Sequence, residues 1–412
     1  GTITINGTIN ATNGNGVLFN NADGTYALNG STTLNGGNAA LDIVNGSAGD
    51  FTIQNMDITN PTGIGVSIQD LDGGNVSFIN GSVATNATAP TVDINGGFGN
   101  INFLGSDVTQ TGTGLVVDVT DFGNGSSNIL FDAAGSITAT TAGNLGIRLN
   151  NNDANITLAS ANIANTSTHA IRSNNSSGQI NLSNVDISNA GGDGVRIANL
   201  DGTLQFQQGS SIDGAAGNGI NVIGGGAATE VQILGTSGAT DIANVTGDGI
   251  AITNTTGTVT ISDVDTENVG GLAFDLNNTG AVSITSGLTF ADIANGRFIN
   301  QTGTHNIVNA SLTTLLVNGG NADINLTNTT FTNNTTDPTL TVTNGHSGSI
   351  IADSNTNFNT TNGSGFQFNN ADGTYTFNGI NVFNGGDAGI DIVNGSGGTF
   401  TFGANSSITN PS

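Results

Sequence analysis

"GIRLNNNDANITLASANIAN" occupies residues 146–165, and "AIRSNNSSGQINLSNVDISN" follows in the same rhythm at 170–189, 24 residues further on. Each stretch holds three short runs in which apolar and polar residues alternate, separated by Asn, Asp, Ser and Gly. Alternation with period two is the pattern of a β-strand with one face buried. The middle run recurs along the chain at Tyr26, Phe51, Val76 and Ile101, then at Ile129, Ile156, Ile180, Leu204, Val231, Val259 and Val282, in steps of 23 to 28 residues. After an irregular stretch it resumes at Ile324, Ile350, Tyr375 and Phe400. A first run precedes it ("GVSIQD" at 65–70, "GVRIAN" at 194–199, "GIAITN" at 249–254) and a third follows it ("DITN" at 57–60, "DISN" at 186–189, "DIAN" at 241–244 and 292–295). Hairpins would lose so constant a register, whereas stacking each strand on its counterpart in the next repeat preserves it. The spacing predicts an all-β chain: a right-handed parallel β-helix of about 17 coils, three short strands per coil, continuous over residues 1–412.

The same block of coils is written twice. "GVLFNNADGTYALNGSTTLNGG" begins at Gly16 and "GFQFNNADGTYTFNGINVFNGG" at Gly365, 349 residues later, and the likeness extends over 16–62 and 365–412. Duplication of coils lengthens a solenoid without adding a site, and the segment reads as part of a longer repeat protein.

Composition narrows the chemistry. The chain has 64 Gly, no Cys, no Trp and a net charge of −26, from 30 acidic residues and four Arg with no Lys. Such an acidic chain repels nucleic-acid phosphates and anionic membranes, so neither is an expected partner. Without Lys there is no Schiff base and no lysine base, and without Cys no disulfide, thiol nucleophile or zinc–thiolate site. No stretch approaches the ~20 apolar residues of a membrane helix, so no membrane insertion is expected.

The "GDGV", "GNGI" and "GDGI" strand openings and the "DIxN" endings resemble right-handed parallel β-helix repeat proteins of the secreted and cell-surface type, namely autotransporter passengers and filamentous-haemagglutinin-like giant repeat proteins. The resemblance implies an extracellular structural rod of a bacterial surface fibre, matrix or adhesin stalk, assembling with copies of itself. The fold also hosts glycan-binding and glycan-cleaving proteins of the tailspike and pectinase kinds, so cell-surface glycans are the alternative partner. The histidines argue against an enzyme: His169, His305 and His346 stand in unrelated contexts and read as surface or turn residues.

Three sets of residues remain as candidates. Asn165, Asn189, Asn244, Asn268 and Asn295 close the third strand, with Gly214 in one coil, and read as a stacked ladder at a left-handed turn. Asp241, Asp265 and Asp292, with Glu267 beside them, stack on the third strand, where Ca²⁺ could relieve their repulsion. No cofactor other than this possible ion is expected. The outward column of the first strand runs Asp42, Ser67, Asp93, Asp118, Arg148, Arg172, Arg196, Asn221. Three like charges at strand spacing repel, so this strip is expected to take an anion or the acidic strip of a second copy.

Overall fold

The computed structural model describes residues 1–410 except 15, 38, 141, 142, 144, 237, 238, 240, 286–294, 387 and 388. Among them there is no helix, hence none long and apolar enough to cross a membrane, and every strand pairing is parallel. The chain forms two compact units, Gly1–Gly217 and Asn218–Ser412. Each is a right-handed parallel β-solenoid with three strands per coil. The first unit holds nine middle strands, from Thr2–Ile5 to Thr203–Phe206, and the second holds eight, from Glu230–Leu234 to Thr399–Phe402.

Register follows the apolar columns read from the sequence. In the first unit Ile129, Ile156, Ile180 and Leu204 stack on the middle strand. Ile147, Ile171 and Val195 do so on the first, and Ile163 on Ile187 on the third. In the second unit Val231, Val259 and Val282 continue the middle column. These side chains are buried, and each contributes about 1.5–3 kcal/mol by leaving water. Their neighbours in sequence point outward, as the strict alternation along Asn155–Leu158 and Gln179–Leu182 shows.

Two places depart from three separate strands. Ile64–Ile79 and Val92–Leu104 run unbroken through the corner between the first and middle strands. Their corners, "DLDGGN" and "NGGFGN", carry Gly73 and Gly74, then Gly96 and Gly97, at φ of 71° to 95°. Glycine adopts this left-handed conformation without penalty, so pairing continues where other coils need a non-paired turn. The second departure is the irregular stretch, where His305 takes the inward middle position between Val282 and Ile324. A polar residue there concealed a coil that is present.

The Asn turns are built as expected in most coils. Asn165, Asn189, Asn244 and Asn268 have φ of 52° to 56°, and Gly214 stands at 79°. Asn189 Nδ2 donates to Asn165 Oδ1 at 3.2 Å, and Asn268 Nδ2 to Asn244 Oδ1 at 2.6 Å. Asn295 does not belong to this ladder: it opens the first strand Asn295–Gln301, pairs with Thr314, and is absent from the left-handed set. Here the coils are short, with middle strands stepping from His305 to Ile324 in 19 residues, so the "DIAN" text falls at a different point of the turn.

A second ladder, not read from the sequence, closes the first strand. Asn151, Asn175 and Asn199, at φ of 52° to 54°, link amide to amide at 3.0 and 2.9 Å, and Asn151 donates to Asp121. Replacing Asn175 by Ala should cost about 1–2 kcal/mol, combining lost hydrogen bonds with the left-handed penalty of a Cβ residue. Asn175→Gly should cost less, since only the hydrogen bonds are lost. Urea midpoints of the two variants check the order; equal losses would remove the backbone contribution.

Candidate functional site

The strongest concentration of opposite charges lies on the outward column of the first strand. Register pairs Asp42 with Ser67, Ser67 with Asp93, and Asp93 with Asp118. It then pairs Asp118 with Arg148, Arg148 with Arg172, and Arg172 with Arg196. The column is therefore a continuous stack within the first unit, as its spacing required. Arg297 occupies the same column in the second unit, paired with Asp275. All four arginines of the chain thus share one strand position.

The acidic and basic runs meet inside the stack. Arg148 grips Asp118 with two bonds, Nε to Oδ1 at 2.8 Å and Nη2 to Oδ2. Arg297 holds Asp275 in the same way, Nε to Oδ1 at 2.9 Å and Nη2 to Oδ2. Such two-pronged contacts are strong and directional. Asp118 is buried while Arg148 is exposed, so the guanidinium covers its carboxylate from solvent. Burial raises the pKa of Asp93, the neighbouring Asp118 charge raises it further, and Arg148 opposes both. Burial also raises that of Asp42, against a hydrogen bond from Ser67.

Arg196 Nη1 donates to Asp193 Oδ2 at 3.2 Å, and the backbone N–H of Asp193 donates to His169 Nδ1 at 2.9 Å. His169 Nδ1 also lies 3.5 Å from Asp193 Oδ2. Burial lowers the His169 pKa; Asp193 counters this, and Arg196 and Arg172 add to it. His169 therefore belongs with the arginine strip. Its signal was present in the text, because His169 and Asp193 stand three residues before Arg172 and Arg196. Arg172 is held by the Asn174 amide, whose oxygen, oriented toward it, accepts from Nη2 at 2.7 Å and Nε at 3.1 Å.

The internal pairs change what substitution will do. Arg148→Gln leaves the buried Asp118 carboxylate uncovered beside Asp93 and should cost about 1–3 kcal/mol. Arg172→Gln should change stability by less than about 0.5 kcal/mol. Chemical denaturation compares them directly, and an equal effect of both would mean that the Asp118 pair carries nothing. Only Arg172 can therefore be removed to test ligand binding without disturbing the stack.

The third-strand carboxylates are placed differently from a surface strip. Asp241 and Asp265 lie on adjacent coils and both are buried. Asp241 accepts backbone N–H groups through both oxygens, from Thr236 and Asp265, each at 2.9 Å. Burial raises its pKa, and these two bonds work against that. Glu267 is exposed on the next position, and Asp292 lies outside the described residues. Among the described residues no group of three or more His, Cys, Asp or Glu side chains is arranged to hold a metal ion.

His305 and His346 are core residues, not surface or turn residues. Both are fully buried. His346 lies 3.1 Å from Tyr375 Oη and 3.1 Å from the Ala322 carbonyl. His305 Nδ1 accepts from the Val282 backbone at 3.1 Å, its ring stacks on Phe298, and its Nε2 is buried without a partner. Apolar alternation alone cannot announce a buried histidine, since the residue breaks the pattern that identifies the column. Compared with protein-family models, with curated proteins and with solved structures, the chain matches none.

Proposed function

We propose that this chain is an extracellular structural element, a stretch of the rod of a bacterial surface fibre, matrix or adhesin stalk. The observation that supports it is the way polar groups are used: the Asn ladders and the Asp–Arg pairs join one coil to the next within the stack. Asn175 links its neighbours above and below, and Arg148 covers the carboxylate of the preceding coil. Polar groups committed to holding neighbouring coils suit a load-bearing solenoid, and repeated blocks of coils extend it without new chemistry. Antibodies against residues 146–199 test this on intact, unpermeabilised cells of the source organism. Labelling along surface filaments is expected; labelling only after permeabilisation would overturn the reading.

A second reading, glycan binding, is supported by one feature of the second unit. A groove of about 310 Å³ is lined by Asn295, Arg297, Thr314, Leu316, Asp337 and Thr341, among others. Polar donors and acceptors beside an apolar floor are what a sugar face requires. Thr341→Tyr should block the groove, and retained glycan-array binding by that variant would remove it as the site.

A further inference from the structure

The two copies of the repeated block fold alike to the level of ring contacts. In the first, Phe19, Tyr26 and Phe51 form a triangle with centroids 5.0 to 5.1 Å apart. In the second, Phe368, Tyr375 and Phe400 form the same triangle at 4.8 to 5.2 Å. The register agrees as well, with Tyr26 on Phe51 and Tyr375 on Phe400. The likeness reaches further toward the N-terminus than the text suggests, since Ile3 stacks on Tyr26 as Ile350 does on Tyr375.

Matched residues nevertheless differ sharply in exposure. Ile43 and Ile58 are 0% exposed, whereas their counterparts Ile392 and Ile408 are 46% and 49% exposed. The cause is the coil lying on the first copy. Leu41 and Ile43 are covered by Val66 and Ile68, Phe51 and Ile53 by Val76 and Phe78, and Ile58 by Val83. Among the described residues no such coil covers Ile390–Val393, Thr399–Phe402 and Ser406–Thr409.

We propose that the coil 390–409 presents a strand-addition face specific for a coil of the sequence Gly63–Thr85, which makes 62–411 the unit by which this solenoid is extended. The fit is argued column by column. Val66 and Ile68 meet Ile390 and Ile392, Val76 and Phe78 meet Phe400 and Phe402, and Val83 meets Ile408. The outward residue also matches: Asp391 stands where Asp42 stands, and Asp42 takes a hydrogen bond from Ser67. A one-residue slip would turn every apolar side chain of the added coil outward, so the pattern selects its own register. The inference depends on the fold alone and holds whatever the protein does on a surface.

Because the chain lacks cysteine, a single thiol reports the face cleanly. Ile408→Cys is made in the full chain, alone and with residues 63–86 appended after Ser412, and again with the same residues appended in shuffled order. The ordered extension should slow thiol modification at 408 by more than about tenfold, a protection of roughly 1.4 kcal/mol, and the shuffled one should not. Equal rates with ordered and shuffled extensions would overturn the proposal. Protection of the unextended chain that grows with protein concentration would overturn it too, by showing that a second copy is the occupant. Should Ile408→Cys fail to fold, hydrogen exchange of the unsubstituted chain over 399–409 gives the same comparison.

Discussion

Replacing Phe103 by Ala should destabilise the Gly1–Gly217 unit by about 3–5 kcal/mol, the range for removing a fully buried aromatic side chain. Phe103 is buried in the inward middle column, and its ring stacks on Phe78 and Phe131 with both centroids at 4.5 Å. Each lost ring contact adds to the cavity, at about 0.5–1.5 kcal/mol. Neighbouring coils are constrained by their own register and can collapse little into the gap. The adjacent outward residue is the control: Asn102→Ala leaves the column intact and should cost much less. Urea unfolding followed by far-UV circular dichroism gives both values. In a repeat architecture the loss can be local, so hydrogen exchange over 76–131 should show it concentrated in these coils. A Phe103→Ala effect no larger than that of Asn102→Ala would mean that the aromatic column does not bear stability.

Acidification should weaken the Asn218–Ser412 unit through His305, whose pKa is pushed down to about 4 by burial and, secondarily, by His346. The folded form holds this ring neutral, while the unfolded chain protonates near the ordinary value of about 6.5. A group with a depressed pKa of this kind takes up its proton more readily when unfolded. Its penalty is absent above pH ~6.5, grows as pH falls, and is complete near pH ~4. Those limits correspond to a loss on the order of 3 kcal/mol. His346 shifts the same way, again through burial, and adds to the effect. Asp241 and Asp248, both raised by burial, act in the opposite sense. His305→Val isolates the term, because valine is what the preceding coil places in this column at Val282. The difference in unfolding free energy between pH 7 and pH 4.5 should be much smaller in the variant than in the parent. An identical pH dependence in both would assign the acid sensitivity elsewhere.

The arginine strip shows where reading by columns succeeds and where it stops. Spacing alone placed Asp118, Arg148, Arg172 and Arg196 in one stack, because a period-two strand in constant register leaves no other arrangement. It could not say that Asp118 and Arg148 satisfy one another, since pairing depends on side-chain reach and burial. Arg297 was missed because the column was followed only as far as the constant spacing, and the short coils around His305 interrupted it.

What the sequence by itself determined is the strand, the coil and the repeat. Inward Ile, Val, Leu and Phe at period two, with Asn and Gly at corners that need a left-handed backbone, are local statements that hold in every coil. Tertiary structure alone decided the fate of the polar residues. Asn189 in a ladder and Asn295 within a strand look alike in "DISN" and "DIAN", and only the length of the coil around each separates them. His169 at the surface strip and His305 in the core are likewise distinguished by what stacks above and below them. The physical reason is that apolar burial is additive along a column, and so legible one residue at a time. The cost or benefit of a buried polar group depends on a partner that lies a full coil away.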